Sequence, residues 1–552
     1  MYLDDYSWCQ IAQETARLDR ASLLNLIHTN RHFYNALSHC LLLDTPVVHL
    51  DPRDSEKSER RLEGFHSFIL GKETRQLSST TIISDTTAEV VNYGRGQSLH
   101  RLWIQKLSAC ATKETPSLGT VTLSDRSIQM LKDVLSCAPN LIEFHIDASY
   151  YHEDISVILP PISSHPLLKK LSLGVSLTPE TIHQIQNLQP SITHLSIHTL
   201  ALSNNDGFQP VIKPAEYLRQ LSSSLRLLRV CVGEGVRLEL TDNGHSFDSM
   251  AHLALKALDL DLSTKTLATL YPNLRSLELY LLSNGRSRII DGAQLFQRRI
   301  RNITNSRCWK NLDYICGNPI PLYTLGLSCT ARVLSLACHC FPGEGDAIST
   351  LCKSLKPGYL HMMVPLPNQY PILIRTIRGS TDSVLNYNLE VLVDMNKLPV
   401  AKGGSQLGTL LGDAVAAFDE TSVENVTIQF HLDGHWETEK FTHCIDKPNI
   451  IGVKPFSPTD YMSYYFLNPD ETIEDHAFNA LISLSNVETI CIAVSQEVLV
   501  RPGGTGRPVI QRMVERTVLK WNPVKLLQIL LRKEIIYPDF GRVVTSDTVL
   551  DI

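Results

Sequence analysis

The sequence contains no long apolar run and no strong excess of charge of one sign. No window approaches the ~20 apolar residues that cross a bilayer as a helix. The net charge of −6 over 552 residues gives no overall attraction to nucleic acid or to an anionic membrane. The amino terminus, MYLDDYSW, carries two carboxylates where a secretory signal has a basic segment followed by an apolar run. We therefore expect a folded, water-soluble protein of the cytoplasm or nucleus, without a membrane span.

The motifs of the common catalytic frameworks are missing as well. The chain has no Gly-x-Ser-x-Gly elbow, no Walker-type phosphate loop and no dinucleotide-binding fingerprint. A hydrolase whose residues are dispersed along the chain leaves no such signature, so an enzyme stays as a third and disfavoured hypothesis. We predict a non-catalytic protein that requires no cofactor.

The cysteine pattern predicts neither disulfides nor a metal site. Thirteen cysteines, an odd number without framework spacing, fit reduced thiols that are buried as small apolar side chains. The densest stretch contains Cys308, Cys316, Cys329, Cys338, Cys340 and Cys352. No pair among them has the two-residue gap typical of zinc fingers, so we predict no metal.

The body of the chain repeats one local pattern, in which three apolar residues are separated by two residues and then by one. The matches are Leu99, Leu102, Ile104; Leu141, Phe144, Ile146; Leu168, Leu171, Leu173; Ile192, Leu195, Ile197; Leu225, Leu228, Val230; Leu255, Leu258, Leu260; and Leu274, Leu277, Leu279. The alternation at the end of each unit is the period of a β-strand. Helical patterns at 128–138, 179–188 and 265–271 precede several units. The spacing scatters around the ~20 to 29 residues of leucine-rich repeats, so we predict an irregular α/β solenoid with parallel strands on the concave face and helices outside.

The segment from Leu18 to Leu50 precedes this body and predicts two short helices. Apolar residues recur three, four or seven apart, and Asp19 is placed to cap the first helix. The run that contains Ser22, Thr29, Asn30 and Arg31 resembles the F-box of fungal F-box proteins with leucine-rich bodies. The family usually opens with Leu-Pro-x-Glu, whereas this chain has Leu3 followed by two aspartates and no proline.

The resemblance implies docking onto the Skp-type adaptor of a cullin RING ubiquitin ligase. The positions that match the motif and that the resemblance assigns to adaptor binding are Leu18, Leu23, Leu24, Leu26 and Phe33. Two alternatives stay open for this segment. The first is a helical cap on the repeat body. The second is a helix-turn-helix that reads DNA, but residues 1–50 contain five acidic residues against three arginines, which disfavours DNA binding.

A basic stretch from Arg286 to Lys310 holds seven basic residues and one acid, Asp291. Three of its arginines, Arg298, Arg299 and Arg301, lie on a predicted helix. We interpret them as a candidate patch for an acidic or phosphorylated partner, or alternatively as part of an exposed insertion between repeats.

Together these patterns predict four regions: an F-box-like helical module at 1–50, a helix and linker at 51–97, the irregular repeat body at 98–535 with a basic insertion at 290–330, and a tail at 536–552. A closing helix is expected around Leu526 to Leu531. The predicted function is that of a non-catalytic substrate receptor, which holds a ligase adaptor through the module and an unknown protein target through the repeats. The alternative is a leucine-rich scaffold without ligase association.

Overall fold

The computed structural model describes residues 46–50, 55–70, 94–106, 124–146, 155–163, 165–176, 179–200, 211–233, 236–242, 244–281, 292–304, 308–338, 343–366, 377, 384–394, 417–418, 421, 423–433, 489–500, 509–521, 527–537 and 542–551. The chain divides into two compact units. Unit 1 comprises Met1–Ala109, Lys113–Asp259 and Leu270–Asn273, and unit 2 comprises Cys110–Thr112, Leu260–Thr269 and Leu274–Ile552.

Unit 1 alternates strands with helices. Its described strands are β1 (Val47–Leu50), β2 (Arg101–Lys106), β3 (Glu143–Ile146), β4 (Lys170–Ser176), β5 (His194–Leu200), β6 (Val211–Ile212), β7 (Leu227–Val232), β8 (Arg237–Leu238) and β9 (His252–Ala257). Its described helices are α1 (Ser55–Leu70), α2 (Asp125–Ser136), α3 (Ile155–Ser163), α4 (Pro179–Gln186) and α5 (Pro214–Tyr217), with 3-10 turns at Gly94–Ser98 and Arg219–Leu221.

Seven strands of unit 1 pair in parallel in the order β1-β2-β3-β4-β5-β7-β9. Alternate side chains of each strand are buried, as Leu171 and Leu173 are in β4. Neighbouring helices pack side by side, α1 on α2, α2 on α3 and α3 on α4. The apolar strand residues and the apolar helix faces therefore form one buried layer, and the predicted α/β class with parallel strands and helices is confirmed.

One predicted repeat unit has the wrong register. Leu258 lies after β9 and is 36% exposed, so the unit that we placed at 255 does not start there. The buried set is Met250, Leu253 and Leu255. The stretch LALKALDLDL offers several leucine triplets with the same spacing, and the pattern alone does not choose between them.

Unit 2 repeats the same alternation of strands and helices. Its described strands are β10 (Ser276–Leu281), β11 (Asn311–Gly317), β12 (Thr330–Ala337), β13 (Tyr359–Leu366), β14 (Asn386–Asp394), β15 (Asn425–Asp433), β16 (Thr489–Val500), β17 (Val509–Trp521), β18 (Leu527–Tyr537) and β19 (Arg542–Asp551). Its described helices are α6 (Thr264–Leu270), α7 (Gly292–Thr304), α8 (Pro319–Thr324) and α9 (Glu344–Leu355). Strands β10 to β16 pair in parallel in chain order, and β16 to β19 pair antiparallel.

The three-residue pattern continues in unit 2 with other apolar residues in the leucine places. The buried triplets are Ala331, Leu334, Leu336; Pro357, Leu360, Met362; Val384, Tyr387, Leu389; and Val423, Val426, Ile428. Leu334 with Leu336 and Val426 with Ile428 already show the alternation of a strand in the sequence, whereas a search for leucine triplets misses the units that begin at Pro357 and Val384. The repeat therefore continues through the predicted body after its last leucine triplet, Leu274, Leu277 and Leu279.

Three expectations about unit 2 differ from the structure. The segment 290–330, expected as a basic insertion, supplies α7, β11 and α8, and β11 lies between β10 and β12 in the ladder. The closing helix expected around Leu526 to Leu531 is not present, because β18 covers Leu527–Tyr537. The expected tail contains β19, which pairs with β18. In the closing segments β-branched residues are frequent, and these favour strands.

Candidate functional site

The residues of β2, β3, β4, β5, β7 and β9 that alternate with the core lie on the sheet face opposite the buried layer. We call this surface the unit 1 open face. Its described members are Arg101 and Trp103 of β2, Glu143 and His145 of β3, Lys170 and Ser172 of β4, His194, Ser196 and His198 of β5, Leu227, Arg229 and Cys231 of β7, and His252, Ala254 and Lys256 of β9. Every one of these side chains is exposed or half-buried. The ladder register aligns them in rows across the strands, such as Arg101, Glu143, Lys170 and His194.

Glu143 organises one end of the unit 1 open face. Its side chain is only 17% exposed, and its Oε1 accepts a hydrogen bond from Trp103 Nε1 at 3.2 Å. Its Oε2 lies 3.4 Å from Lys170 Nζ and 3.8 Å from Arg101 Nε. The Trp103 ring packs on the His145 ring, with 5.4 Å between the centroids. The carboxylate thus fixes Trp103 and partly balances two neighbouring cations.

The other permanently charged side chains of the unit 1 open face are cations. Arg229 is exposed, and Lys256 is half-buried next to the paired Cys231. Burial lowers the pKa of His194, and the neighbouring charges of Lys170, His252 and Arg226 lower it further, while Glu143 opposes them. Four permanent cations against one carboxylate give this face a positive field.

Unit 2 carries a hydrogen-bonded polar row on the equivalent alternate positions. Tyr280 Oη lies 2.8 Å from Cys316 Sγ. Ser335 Oγ lies 2.8 Å from His361 Nδ1, and His361 Nε2 lies 3.2 Å from Glu390 Oε1 without the alignment of a hydrogen bond. Tyr314 is hydrogen-bonded to both Cys316 and Ser335. Burial raises the pKa of Tyr280, and it raises that of Tyr314 to about 12, so both phenols stay protonated at neutral pH.

Ser335, His361 and Glu390 have the order hydroxyl, imidazole, carboxylate that many hydrolases use. This arrangement does not meet one requirement of acyl transfer, which is a set of N–H donors aimed at the developing oxyanion. Ser335 lies in β12, which is paired on both sides by β11 and β13, so its backbone N–H is engaged in the ladder. The polar row links side chains of five neighbouring strands, β10 to β14, and this arrangement favours a structural role over a catalytic one.

The three arginines of the predicted acidic-partner patch are separated by the fold of α7. Arg299 is only 8% exposed, and its Nη1 donates to the Tyr323 carbonyl at 2.7 Å while its guanidinium lies over the Tyr323 ring. Arg298 and Arg301 instead both contact the Asp261 carboxylate. Arg299 is therefore a packing residue and not part of an exposed patch, and the other two share one carboxylate, which offsets only one of their two charges.

The predicted adaptor-binding residues lie outside the described residues. These are Leu18, Leu23, Leu24, Leu26 and Phe33. Their assignment stays a prediction.

Cys308 and Cys329, two members of the cysteine-rich stretch, are in contact. Cys308 precedes β11 and Cys329 precedes β12, and their thiols are hydrogen-bonded because the two strands are paired neighbours. This bond, together with hydrogen bonds from Ser328 and the Trp309 backbone, lowers the pKa of Cys308 to about 6 against the opposing effect of burial. Among the residues that the structure describes, no three His, Cys, Asp or Glu side chains are grouped to hold a metal ion.

Sequence reasoning missed the unit 1 open face. The signal was present at the positions between the strand leucines, where Arg101, Lys170, Arg229 and Lys256 occupy the polar places of the repeat. Reading it required the register of the ladder, which places residues distant in sequence in one row.

No protein-family model and no curated protein matches this chain. Within the described residues, no helix is both long and apolar enough to span a membrane.

Proposed function

We propose that the chain is a non-catalytic receptor that binds a protein partner on the unit 1 open face. The observation that carries this proposal is the row structure of that face, where polar and charged side chains from six strands are presented side by side. The backbone of these paired strands is already ordered, so binding a partner here requires only the side chains to lose conformational freedom. A repeat that extends such a surface strand by strand is typical of proteins that bind other proteins.

We further propose that the F-box-like segment links this receptor to a ubiquitin ligase. The support is the motif resemblance at Leu18, Leu23, Leu24, Leu26 and Phe33. The mechanism is proximity, since a target and a ligase held on one chain meet at a high effective concentration. The receptor itself then needs no reactive group.

A binding assay with the purified Skp-type adaptor tests the link. The wild-type chain is expected to bind at micromolar concentrations or below, and Leu23→Asp/Leu24→Asp is expected to lose binding. Gln186→Asp/Gln189→Asp, which adds the same charge at exposed positions in and after α4, serves as the control. If the wild-type chain does not bind at micromolar concentrations, the ligase association fails and the scaffold without a ligase becomes the better account.

The Ser335, His361 and Glu390 row supports hydrolysis as a second candidate function. An activated serine reacts with a fluorophosphonate probe, so labelling of the wild-type chain that disappears in Ser335→Ala would favour an enzyme. The receptor proposal expects no labelling at Ser335.

A further inference from the structure

We propose that the partner segment bound by the unit 1 open face is an extended, acidic stretch of protein. This inference rests on the proposed receptor function and adds the chemistry of the ligand. The occupant is defined by charge complementarity: a chain rich in Asp and Glu that lies across the strands.

The charges of the unit 1 open face are unevenly distributed. At the β2 to β4 side, Glu143 balances part of the charge of Arg101 and Lys170. At the β7 to β9 side, Arg229 and Lys256 form no ion pair with any residue that the structure describes. His198 and His252 are exposed nearby. The β7 to β9 side is therefore the stronger attractor for a carboxylate.

The size of the face sets the length of the segment. Six strands, β2, β3, β4, β5, β7 and β9, are adjacent in the ladder. At a strand spacing of ~4.8 Å they span roughly 24 Å. An extended chain covers about 3.4 Å per residue, so about seven or eight residues cross the face.

A peptide fits this face better than a nucleic acid does. Single-stranded nucleic acid binding relies on aromatic platforms for base stacking, and on the described part of this face Trp103 is the single Phe, Tyr or Trp. Its indole N–H is held by Glu143, and its ring packs on His145. The whole chain is also acidic, with a net charge of −6, whereas nucleic-acid binders usually carry a strong basic excess.

The test uses the full chain and a fluorescein-labelled eight-residue peptide of alternating Glu and Ser, with a Gln and Ser peptide as the uncharged control. Fluorescence polarisation is expected to show binding of the Glu peptide that weakens as salt is raised, since exposed charges are screened. Arg229→Glu/Lys256→Glu should weaken binding about tenfold or more. Glu143→Gln should strengthen it by a few fold, because Arg101 and Lys170 lose their competing carboxylate.

The matched control is Lys132→Glu/Arg219→Glu, which makes the same charge change on α2 and on the 3-10 turn Arg219–Leu221 of the helix layer. It should retain binding within about twofold of wild type, since these sites lie away from the face. Circular dichroism and the thermal midpoint confirm that every variant is folded.

Three results would overturn the inference: equal binding of the Glu and Gln peptides, equal losses in the two charge-reversal variants, or tighter binding of a single-stranded oligonucleotide of the same length. The adaptor takes no part in this assay. If adaptor binding succeeds and peptide binding fails, the receptor proposal stands and the acidic segment is rejected, whereas the opposite result rejects only the ligase link.

Discussion

The Cys308 thiol has an unusual environment, because it lies next to the Cys329 thiol at the starts of two paired strands. A hydrogen bond from Cys329 stabilises the Cys308 thiolate. With its pKa lowered to about 6, the thiolate predominates at neutral pH. We predict that iodoacetamide alkylates Cys308 with a rate that rises through pH 6 and levels off by about pH 7. In Cys329→Ala the rise should shift to higher pH, because the first and largest cause of the shift is removed.

Peptide mass spectrometry after short pulses of reagent between pH 5 and 9 measures these rates. Cys352 is the internal control, since burial raises the pKa of its thiol to about 12 and it should react only when the protein unfolds. A Cys308 rate that increases only above pH 8 would contradict the prediction.

Single residues also show where the sequence was informative and where it was not. The positive charge of α7 could be read directly, but the burial of Arg299 depends on Tyr323 and Ser354, which are distant in sequence. Asn302 shows the same limit. It begins an N-glycosylation sequon, yet it is buried, and its amide bonds the backbone of Leu262, Thr264 and Thr324. Local patterns report residue type, whereas burial is set by tertiary contacts.

At the scale of elements, the end of β11 depends on a glycine and an asparagine. Gly317 has φ +136°, and a Cβ at this position would overlap the backbone carbonyl of Leu279 in β10. The next residue, Asn318, is buried, and its amide accepts from the Leu281 N–H at 2.5 Å and donates to the Ala337 carbonyl at 2.8 Å. These two residues therefore join β10, β11 and β12 at one end.

We predict that Gly317→Ala destabilises unit 2 by about 3 kcal/mol or more, because it combines backbone strain of ~1 to 3 kcal/mol with a steric overlap of similar cost. Gly292→Ala is the control, since no atom lies within 4 Å of its Cβ position at the start of α7. Urea unfolding, followed by the midpoint and slope, compares the two variants with wild type. Equal midpoints for both variants would show that the β10 and β11 backbones adjust easily.

The strand elements were predictable wherever leucine dominated the repeat. In unit 1 the triplets at 141, 168, 192 and 225 have the predicted register, and all of their apolar residues are buried. The triplet at 250 was shifted by five residues, because alternating leucines continue past the strand. The triplets that contain Pro357 or Tyr387 were missed, since the core selects for volume and apolarity and not for leucine.

At the scale of the whole molecule, net charge and local charge have opposite signs. The chain carries −6 overall, yet the unit 1 open face has four permanent cations and one carboxylate. Composition therefore gave no indication of an acidic ligand. The pairing of strands from residue 101 to residue 257 creates the positive surface, and it does so only once the ladder has formed.

The proposed functions use different parts of one chain, so they should be separable by mutation. With adaptor-coated beads, the wild-type chain is expected to retain the fluorescent Glu peptide on the beads. Leu23→Asp/Leu24→Asp should still bind the peptide in solution but leave it off the beads. Arg229→Glu/Lys256→Glu should still bind the beads but without the peptide.

An equal mixture of these two variants provides the decisive measurement. If one chain bridges adaptor and partner, the mixture cannot restore retention of the peptide, because every molecule lacks one of the two sites. Restoration by the mixture would mean that sites on separate copies act together, and it would replace the single-chain bridge with an assembly of chains. Bead-bound fluorescence at several chain concentrations distinguishes the two, since only an assembly gives retention that grows with concentration in the mixture.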